Sequence, residues 1–232
     1  MNEHEEENGH VLPRRLSRSF LRDGKAVLVL DGTLPEIRGS VCLNAYYGRL
    51  FRQLAGYCAE ELVPELPELE EPIMLDLTYQ VRLVTPVLMS LTLDLVRRDG
   101  RAMPAARFGT VWSRKTGFPL PIQAFFPKAP GFRRRIRQWV RSKALERLNS
   151  GFCLYDPMQA EQADRLYSLQ HFYAAERGLV LYFPPLTLGG AAEGIPEFLM
   201  PWDPAGPMQP ETYLKSRAIS SATLIPRPRS LL

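Results

Sequence analysis

Two consecutive stretches of the sequence alternate between apolar and polar residues, and this alternation constrains the fold more than any other feature. In residues 75–83 the odd positions are Leu, Leu, Tyr, Val and Leu, whereas the even positions are Asp, Thr, Gln and Arg. Residues 87–95 repeat the pattern after Pro86. A period of two residues is typical of a strand with one buried face, so the stretches predict adjacent antiparallel strands. The predicted buried face comprises Leu75, Leu77, Tyr79, Val81 and Leu83.

Helices are predicted on either side of this meander. Apolar residues recur at helical spacing up to Leu62, with Ser40 as the N-cap and Pro64 as the stop. A basic helix is predicted at residues 130–149, ending at Gly151, and a short helix opens at Asp156. Further strands are predicted at residues 25–31, 108–112, 171–174, 179–183 and 198–202. The fold class is therefore α+β, with an antiparallel β-meander packed with a long N-terminal helix and a basic second helix.

This pattern divides the chain into four predicted segments. Four of the first eight residues are Glu, which leaves nothing apolar to bury there. The segments are a disordered or extended tail at residues 1–24, a strand–helix–meander subdomain at 25–127, a C-terminal subdomain at 128–217 and a flexible tail at 218–232.

Composition excludes several classes of protein. The 29 basic residues are offset by 25 acidic ones, and a formal charge of +4 gives no reason to expect nucleic acid binding. The long uncharged run that includes residues 179–192 is interrupted by prolines and glycines, so no membrane span is expected. The acidic N-terminus does not resemble a signal peptide. We expect a cytoplasmic location if the chain is complete, and an extracytoplasmic one if it is a fragment of a membrane-anchored protein.

The residues needed for catalysis are sparse. Of three histidines, His4 and His10 fall in the predicted tail, which leaves His171 as the one candidate base within the fold. His171 lies in an aromatic strand, where we expect a structural role. No metal-ligand or phosphate-loop spacing is present, and the acidic residues at 65–71 are expected to form a solvated loop. The sequence thus predicts no enzyme, no cofactor and no metal; a hydrolase that uses His171 with a nearby acid is the alternative.

Two segments are candidate binding sites. On the basic helix, Arg134, Arg137 and Arg141 share one face at helical spacing. We expect this face to be solvated; docking on nucleic acid, anionic membrane or an acidic protein is the alternative.

The second candidate is the loop at residues 184–194, which we rank above the basic helix. Two prolines stiffen the exit from a strand, and neighbouring glycines permit unusual backbone angles. Its leucines either fold back onto the core or are held out for a partner. The predicted binding residues of this loop are Pro185, Leu186, Leu188 and Gly190.

Residues 171–202, HFYAAERGLVLYFPPLTLGGAAEGIPEFLMPW, resemble the C-terminal domain of RsiV-like proteins. That domain has an aromatic strand, a Gly turn, "LVxYF" and then "PYxIAPxAxGIPEF". Residues 115–117 and 122–126 are similar to the family's step between meander and helix, and residues 34–37 with Gly39 and Asn44 are similar to its companion N-terminal domain. The positions that match within the first segment are 172–173, 178–180, 182–183, 185, 192 and 194–198.

The resemblance implies a non-catalytic binding or sensing module. Such domains form the extracytoplasmic sensor of RsiV-type anti-sigma factors, where lysozyme is sensed, and precede the catalytic domain of some peptidoglycan deacetylases. The implied partner is a protein or a cell-wall glycan. Leu186 and residues 190–191 replace the family's aromatic and proline in the loop, so the resemblance does not extend lysozyme binding to this chain.

Overall fold

The structure, a computed structural model, describes residues 11–68, 70–98, 102–127, 129–204 and 206–209. Its strands are β1 (Val11–Arg22), β2 (Lys25–Ile37), β3 (Ile73–Val84), β4 (Leu88–Arg98), β5 (Ala102–Ser113), β6 (Phe172–Ala175), β7 (Gly178–Tyr182) and β8 (Glu197–Pro201). Its α-helices are α1 (Val41–Tyr57), α2 (Val63–Glu65), α3 (Phe132–Ser150), α4 (Pro157–Glu161) and α5 (Ala163–Leu166). A π-helical turn covers Cys58–Leu62, and 3₁₀ turns cover Ile122–Phe125 and Ala191–Glu193.

The strands form a five-stranded sheet in the order β1-β2-β3-β4-β5 and a three-stranded sheet in the order β6-β7-β8. The predicted α+β class is confirmed. The five-stranded sheet is mixed rather than wholly antiparallel, because β2 pairs with β3 in parallel from Leu28–Ile73 to Gly32–Leu77. A parallel pair needs a long crossover, and here α1 and the loop after it supply the crossover.

The chain divides into two compact units. One comprises Met1–Gln80 and Leu93–Ala105, and the other comprises Val81–Thr92 and Ala106–Leu232. These units differ from the subdomains predicted from the sequence, whose boundaries stay a prediction. Of the predicted tails, residues 1–10 and 210–232 lie outside the described residues.

In the first unit, residues 11–22 form β1, although the sequence analysis assigned them to the N-terminal tail. The cause is the turn at Asp23 and Gly24, whose φ values are 52° and 80°. Positive φ at both central residues fits a two-residue hairpin turn, which returns β1 along β2. The segment shows no apolar–polar alternation, because both of its faces are largely exposed.

The predicted first helix is present, but its ends differ from the prediction. Ser40 stands at the N-cap position and makes no capping bond through its side chain. The Asn44 side chain instead ties the helix to the end of β2, accepting a bond from the Ile37 amide and donating one to the Ile37 carbonyl, each at 2.9 Å. Pro64 lies in the first turn of α2, where no N–H is needed, and the helical segment continues to Glu65.

The alternation predicted for β3 is confirmed at its centre. Leu75 and Leu77 are buried, whereas Thr78 and Gln80 are exposed. The remaining three residues of the predicted buried face are half-buried. β3 and β4 are neighbours joined by three residues, a length that permits only an antiparallel hairpin.

The second unit contains the larger described core. On α3, Ile136, Val140 and Ala144 are fully buried, and Gly151 ends the helix with φ 71°. Alternate residues of β6, β7 and β8 pack into the same core, among them Phe172, Leu181 and Phe198. The other face of this small sheet carries Tyr173, Val180 and Tyr182.

β4 is buried on both faces from Leu88 to Leu93, which its alternating sequence did not predict. Two buried hydroxyl groups on its polar face have partners: Ser90 Oγ accepts a bond from the Ala174 amide, and Thr92 Oγ1 accepts one from Arg82 Nε, each at 2.9 Å. Burial of such groups is inexpensive when they are hydrogen-bonded. None of the described helices has both the length and the apolar character required to cross a bilayer.

Candidate functional site

Two loop segments of the second unit lie side by side. Residue Tyr155 forms an antiparallel bridge with Gly189, and the Asp156 amide donates to the Leu188 carbonyl at 2.8 Å. The Leu154 amide donates to the Glu193 carboxylate at 2.7 Å. A Cβ on Gly189 would lie 2.4 Å from the Leu154 carbonyl oxygen, so this close approach requires glycine. Residues 152–158 and 184–194 are thus fixed to each other.

These two segments carry large apolar side chains that are exposed. Phe152 is 95% exposed, Met158 68%, Leu154 67% and Leu186 62%. We call these four side chains the apolar loop surface. Single exposed apolar residues are ordinary, whereas several on adjoining segments make these residues a candidate site for contact with a partner.

Leu186 has a backbone conformation that is unusual for its residue type. Its φ is 66°, and the Thr187 amide donates to the Pro184 carbonyl at 3.3 Å. Residues 184–187 therefore form a β-turn with Pro185 at its second position and a positive φ at its third, where glycine is normally required. Backbone strain of this kind persists where the surrounding structure enforces it, and it is concentrated at functional positions.

The structure separates the two leucines that the sequence analysis treated together. Leu188 is fully buried in the core, whereas Leu186 points into solvent. Pro185 is half-buried, and Gly190 is exposed with an ordinary φ of −70°. The expectation of unusual angles at the glycine pair is therefore wrong: Gly189 is required by a close contact, and Gly190 has no neighbour that would meet a Cβ.

The three arginines predicted to share a face of α3 have different environments. Arg141 Nε donates to the Glu161 carbonyl at 2.8 Å and so ties α3 to α4. Arg134 and Arg137 are exposed, and neither makes a hydrogen bond or an ion pair with another described residue. The first turn of α3 contains no acidic residue that would offset their charge.

His171 lies beside Tyr182, and the two rings stack with centroids 5.3 Å apart. Burial lowers the pKa of His171, and its buried Nδ1 has no hydrogen-bond partner in the described part of the chain. The nearby carboxylate of Glu197 is bonded elsewhere, accepting from the Tyr173 hydroxyl at 3.0 Å and pairing with Arg107. Burial and the charge of Glu197 raise the pKa of Tyr173 to about 12. The arrangement has the features of a structural cluster.

Tyr182 also closes the outer edge of β5. Its hydroxyl accepts a bond from the Gly109 amide at 2.8 Å and donates to the Arg107 carbonyl at 3.1 Å. A Cβ on Gly109 would lie 2.3 Å from the Phe172 carbonyl oxygen, so the close approach of β6 to β5 at this point requires glycine. Among the described residues, no group of three or more His, Cys, Asp or Glu side chains could hold a metal ion.

Comparison with known proteins gives a family of unknown function. Residues 129–203 match the family described as "Protein of unknown function (DUF3298)". This segment contains α3 and the whole apolar loop surface. No curated protein matches the chain significantly.

Two solved structures share the fold over most of the chain. One is a DUF3298 family protein from Pseudomonas aeruginosa, with a TM-score of 0.55 and 15% identity, covering 86% of this chain and 98% of that one. The other is a member of the same family from Bacteroides fragilis, with a TM-score of 0.53 and 11% identity, covering 83% and 90%. At this identity the similarity establishes the fold alone.

Three of the four side chains of the apolar loop surface were not predicted from the sequence. Phe152 and Leu154 lie in the short connection after the helix-ending Gly151, and Met158 lies in the first turn of α4; no helical or strand period explains these apolar residues. Apolar residues without such a period were the sequence signal that could have identified this part of the site. What the sequence could not give is the bridge that sets this connection against the loop at 184–194.

Proposed function

We propose that the chain is a non-catalytic binding or sensing module that contacts a protein partner through the apolar loop surface. The observation that carries this proposal is Leu186, which is both exposed and strained in a turn that favours glycine. Because the Leu186 side chain is exposed, burial does not offset the conformational cost of this position. Contact with a partner would account for a large apolar side chain here.

The chemistry of the surface favours a protein over a glycan. Three of its four side chains are aliphatic or thioether groups, and Phe152 is its one aromatic ring. Protein interfaces have an apolar centre of this kind, whereas sugar recognition relies on polar groups and planar rings. The RsiV-type resemblance agrees with a sensor role, and the segment that carries it overlaps the matched residues 129–203. Lysozyme is not the proposed partner, because the loop departs from the family pattern.

The test places a photo-crosslinking amino acid at Phe152 and, as a control, at the exposed Lys115. The captured protein is then purified, and its affinity is measured for wild type and for Leu186→Ser, Phe152→Ser and Leu188→Ala. We expect the first two substitutions to weaken binding at least about tenfold, equal to about 1.4 kcal/mol, with little loss of stability. Leu188→Ala should cost about 2–5 kcal/mol in stability because it opens a cavity.

The proposal fails if Phe152 and Lys115 capture the same proteins, or if both surface substitutions leave the reconstituted affinity unchanged. Leu186→Gly serves as a further control. It relieves the turn strain, so it should preserve or raise stability while still weakening binding.

The non-catalytic part of the proposal has its own test. His171→Ala should not abolish any activity that the wild-type protein shows on esters, peptides or glycans. A large loss of turnover in a variant whose folding is intact would favour the hydrolase alternative.

A second candidate function rests on the first half of α3. Arg133, Arg134 and Arg137 are exposed near the positive end of the helix dipole, where cations destabilise the helix. Docking on nucleic acid or anionic membrane would account for this placement. The double variant Arg134→Glu and Arg137→Glu should then lose binding to DNA or to anionic vesicles, and the control pair Lys115→Glu and Arg165→Glu should not. Equal binding by both double variants would remove this candidate.

A further inference from the structure

β1 leaves one side of the five-stranded sheet open. Its 12 residues pair with β2 from Val11–Ile37 to Arg22–Lys25, and no other described strand lies against it. An edge strand has a row of unpaired N–H and C=O groups, which is a template for pairing with another chain.

The pair Pro13–Pro35 identifies which groups of β1 face outward. Neither proline can donate a hydrogen bond, so this pair occupies a position where the ladder needs no N–H from either strand. The hairpin turn agrees, because a two-residue turn makes Arg22–Lys25 a hydrogen-bonded pair, and β1 positions alternate from there. Pro13 therefore faces the free edge, as do the N–H and C=O groups of Arg15, Ser17 and Ser19.

This edge has one sign of charge. Arg14, Arg15 and Arg18 are exposed, and β1 contains no acidic residue. The acidic residues of β2, Asp31 and Glu36, lie one strand inward. Arg22 is not part of this group, because it donates to the Leu66 carbonyl at 2.7 Å and so holds the end of the helical segment.

We propose that the β1 edge binds an extended acidic segment of a partner protein by strand addition. Residues 15–19 would supply alternating N–H and C=O groups to the added strand, and the three arginines would pair with its carboxylates. This surface belongs to the first unit and is separate from the apolar loop surface, so the two proposals stand or fall independently.

Other occupants of the edge fit less well. Two copies of β1 placed edge to edge would bring six arginines together, which opposes association. Residues 3–7 of this chain, four of which are Glu, are the other candidate occupant, but a strand that turns back from them has to pass Pro13, which has no N–H to donate. An acidic segment in trans can pair along the whole of residues 15–19.

The experiment measures binding of a short fluorescent peptide of alternating Glu and Val to the full chain by fluorescence anisotropy. The same peptide with Lys in place of Glu is the control. We expect the acidic peptide to bind at least about tenfold more tightly, with an affinity that falls as salt is added. In NMR spectra the amides of Arg15, Ser17 and Ser19 should become protected from exchange when the peptide is added.

Two changes separate strand addition from simple charge attraction. Ser17→Pro removes an outward N–H and should weaken binding about tenfold or more, whereas Ser17→Ala should not. If Ser17→Pro does not fold, N-methylation of the peptide makes the same test on the wild-type protein. Failure of the acidic peptide to bind, or binding that is indifferent to both changes, would overturn the proposal. It would also be overturned if deletion of residues 2–8 raised the affinity tenfold, since that segment would then be the occupant.

Discussion

The two edges of the five-stranded sheet are treated differently. At β5, groups of the same chain satisfy outward backbone groups. The Tyr182 hydroxyl bonds the Gly109 amide and the Arg107 carbonyl, and backbone bonds from residues 118 and 120 satisfy the Ser113 amide and the Val111 carbonyl. At β1, no described residue covers the edge, and arginines with Pro13 occupy it instead. An edge that is satisfied from within contributes to folding stability, whereas an open edge is left available to another chain. Changes at β5 should therefore alter stability, and changes at β1 should alter association.

The largest expected effect is at Gly109. In Gly109→Ala the new Cβ would lie 2.3 Å from the Phe172 carbonyl oxygen, which is backbone and cannot rotate away. The free energy of unfolding should fall by about 3 kcal/mol, at the upper end of overpacking effects. Gly56→Ala is the matched control, since nothing lies within 4 Å of its Cβ and Ala favours the helix by roughly 1 kcal/mol. Denaturant unfolding measures both, and equal stabilities would contradict the close approach at β5.

Removal of the Tyr182 hydroxyl tests directly whether its two hydrogen bonds to β5 stabilise the fold. Tyr182→Phe keeps the ring and leaves the Gly109 amide and the Arg107 carbonyl without this partner. We expect a loss of about 1–3 kcal/mol, the cost of an unsatisfied buried polar group. Amide exchange at Gly109 should also accelerate. If the variant unfolds at the wild-type denaturant concentration, water must satisfy this edge, and the contrast with β1 disappears.

The buried face of β3 was predictable because a strand with one covered face alternates apolar and polar residues in its sequence. The edge status of β1 was not predictable, since a strand exposed on both faces has no hydrophobic period. β4 shows the opposite failure: Ser90 and Thr92 are polar in sequence, yet they are buried because hydrogen bonds from Ala174 and Arg82 offset their burial. The Ser90–Ala174 bond joins residues 84 positions apart, and a pairing over that distance cannot be deduced from local pattern.

The candidate site divides in the same way. The loop at 184–194 was identified from its prolines and glycines, which act locally. The separation of Leu188 into the core and Leu186 into solvent depends on the Tyr155–Gly189 bridge, which links distant segments. Likewise the helical face shared by Arg134, Arg137 and Arg141 was correct in spacing, but the bond from Arg141 to the Glu161 carbonyl requires the neighbouring helix.

His171, which stacks on Tyr182 beside β5, should have a smaller and pH-dependent effect on the free energy of unfolding. Burial lowers its pKa below the usual 6.5, so the unfolded chain takes up a proton more readily than the folded protein. The free energy of unfolding should therefore fall as the pH drops below about 6.5, by no more than about 1.4 kcal/mol per pH unit. His171→Phe keeps a ring on Tyr182 and should remove this slope. Identical pH profiles for the two proteins would mean that His171 is not the group responsible.

The smallest effect on stability is expected at the open edge. The triple variant Arg14→Ser, Arg15→Ser and Arg18→Ser changes exposed side chains, so the free energy of unfolding should stay within about 0.5 kcal/mol of wild type. Self-association should increase, because the arginines no longer repel a second copy from the unpaired N–H and C=O groups. Sedimentation velocity over a range of concentrations measures this increase. The triple variant Arg133→Ser, Arg134→Ser and Arg137→Ser removes the same charge from α3, which has no open edge, and should associate less at the same concentration. Equal association of the two triple variants would show that net charge governs association, and that β1 is no more exposed to pairing than the rest of the surface.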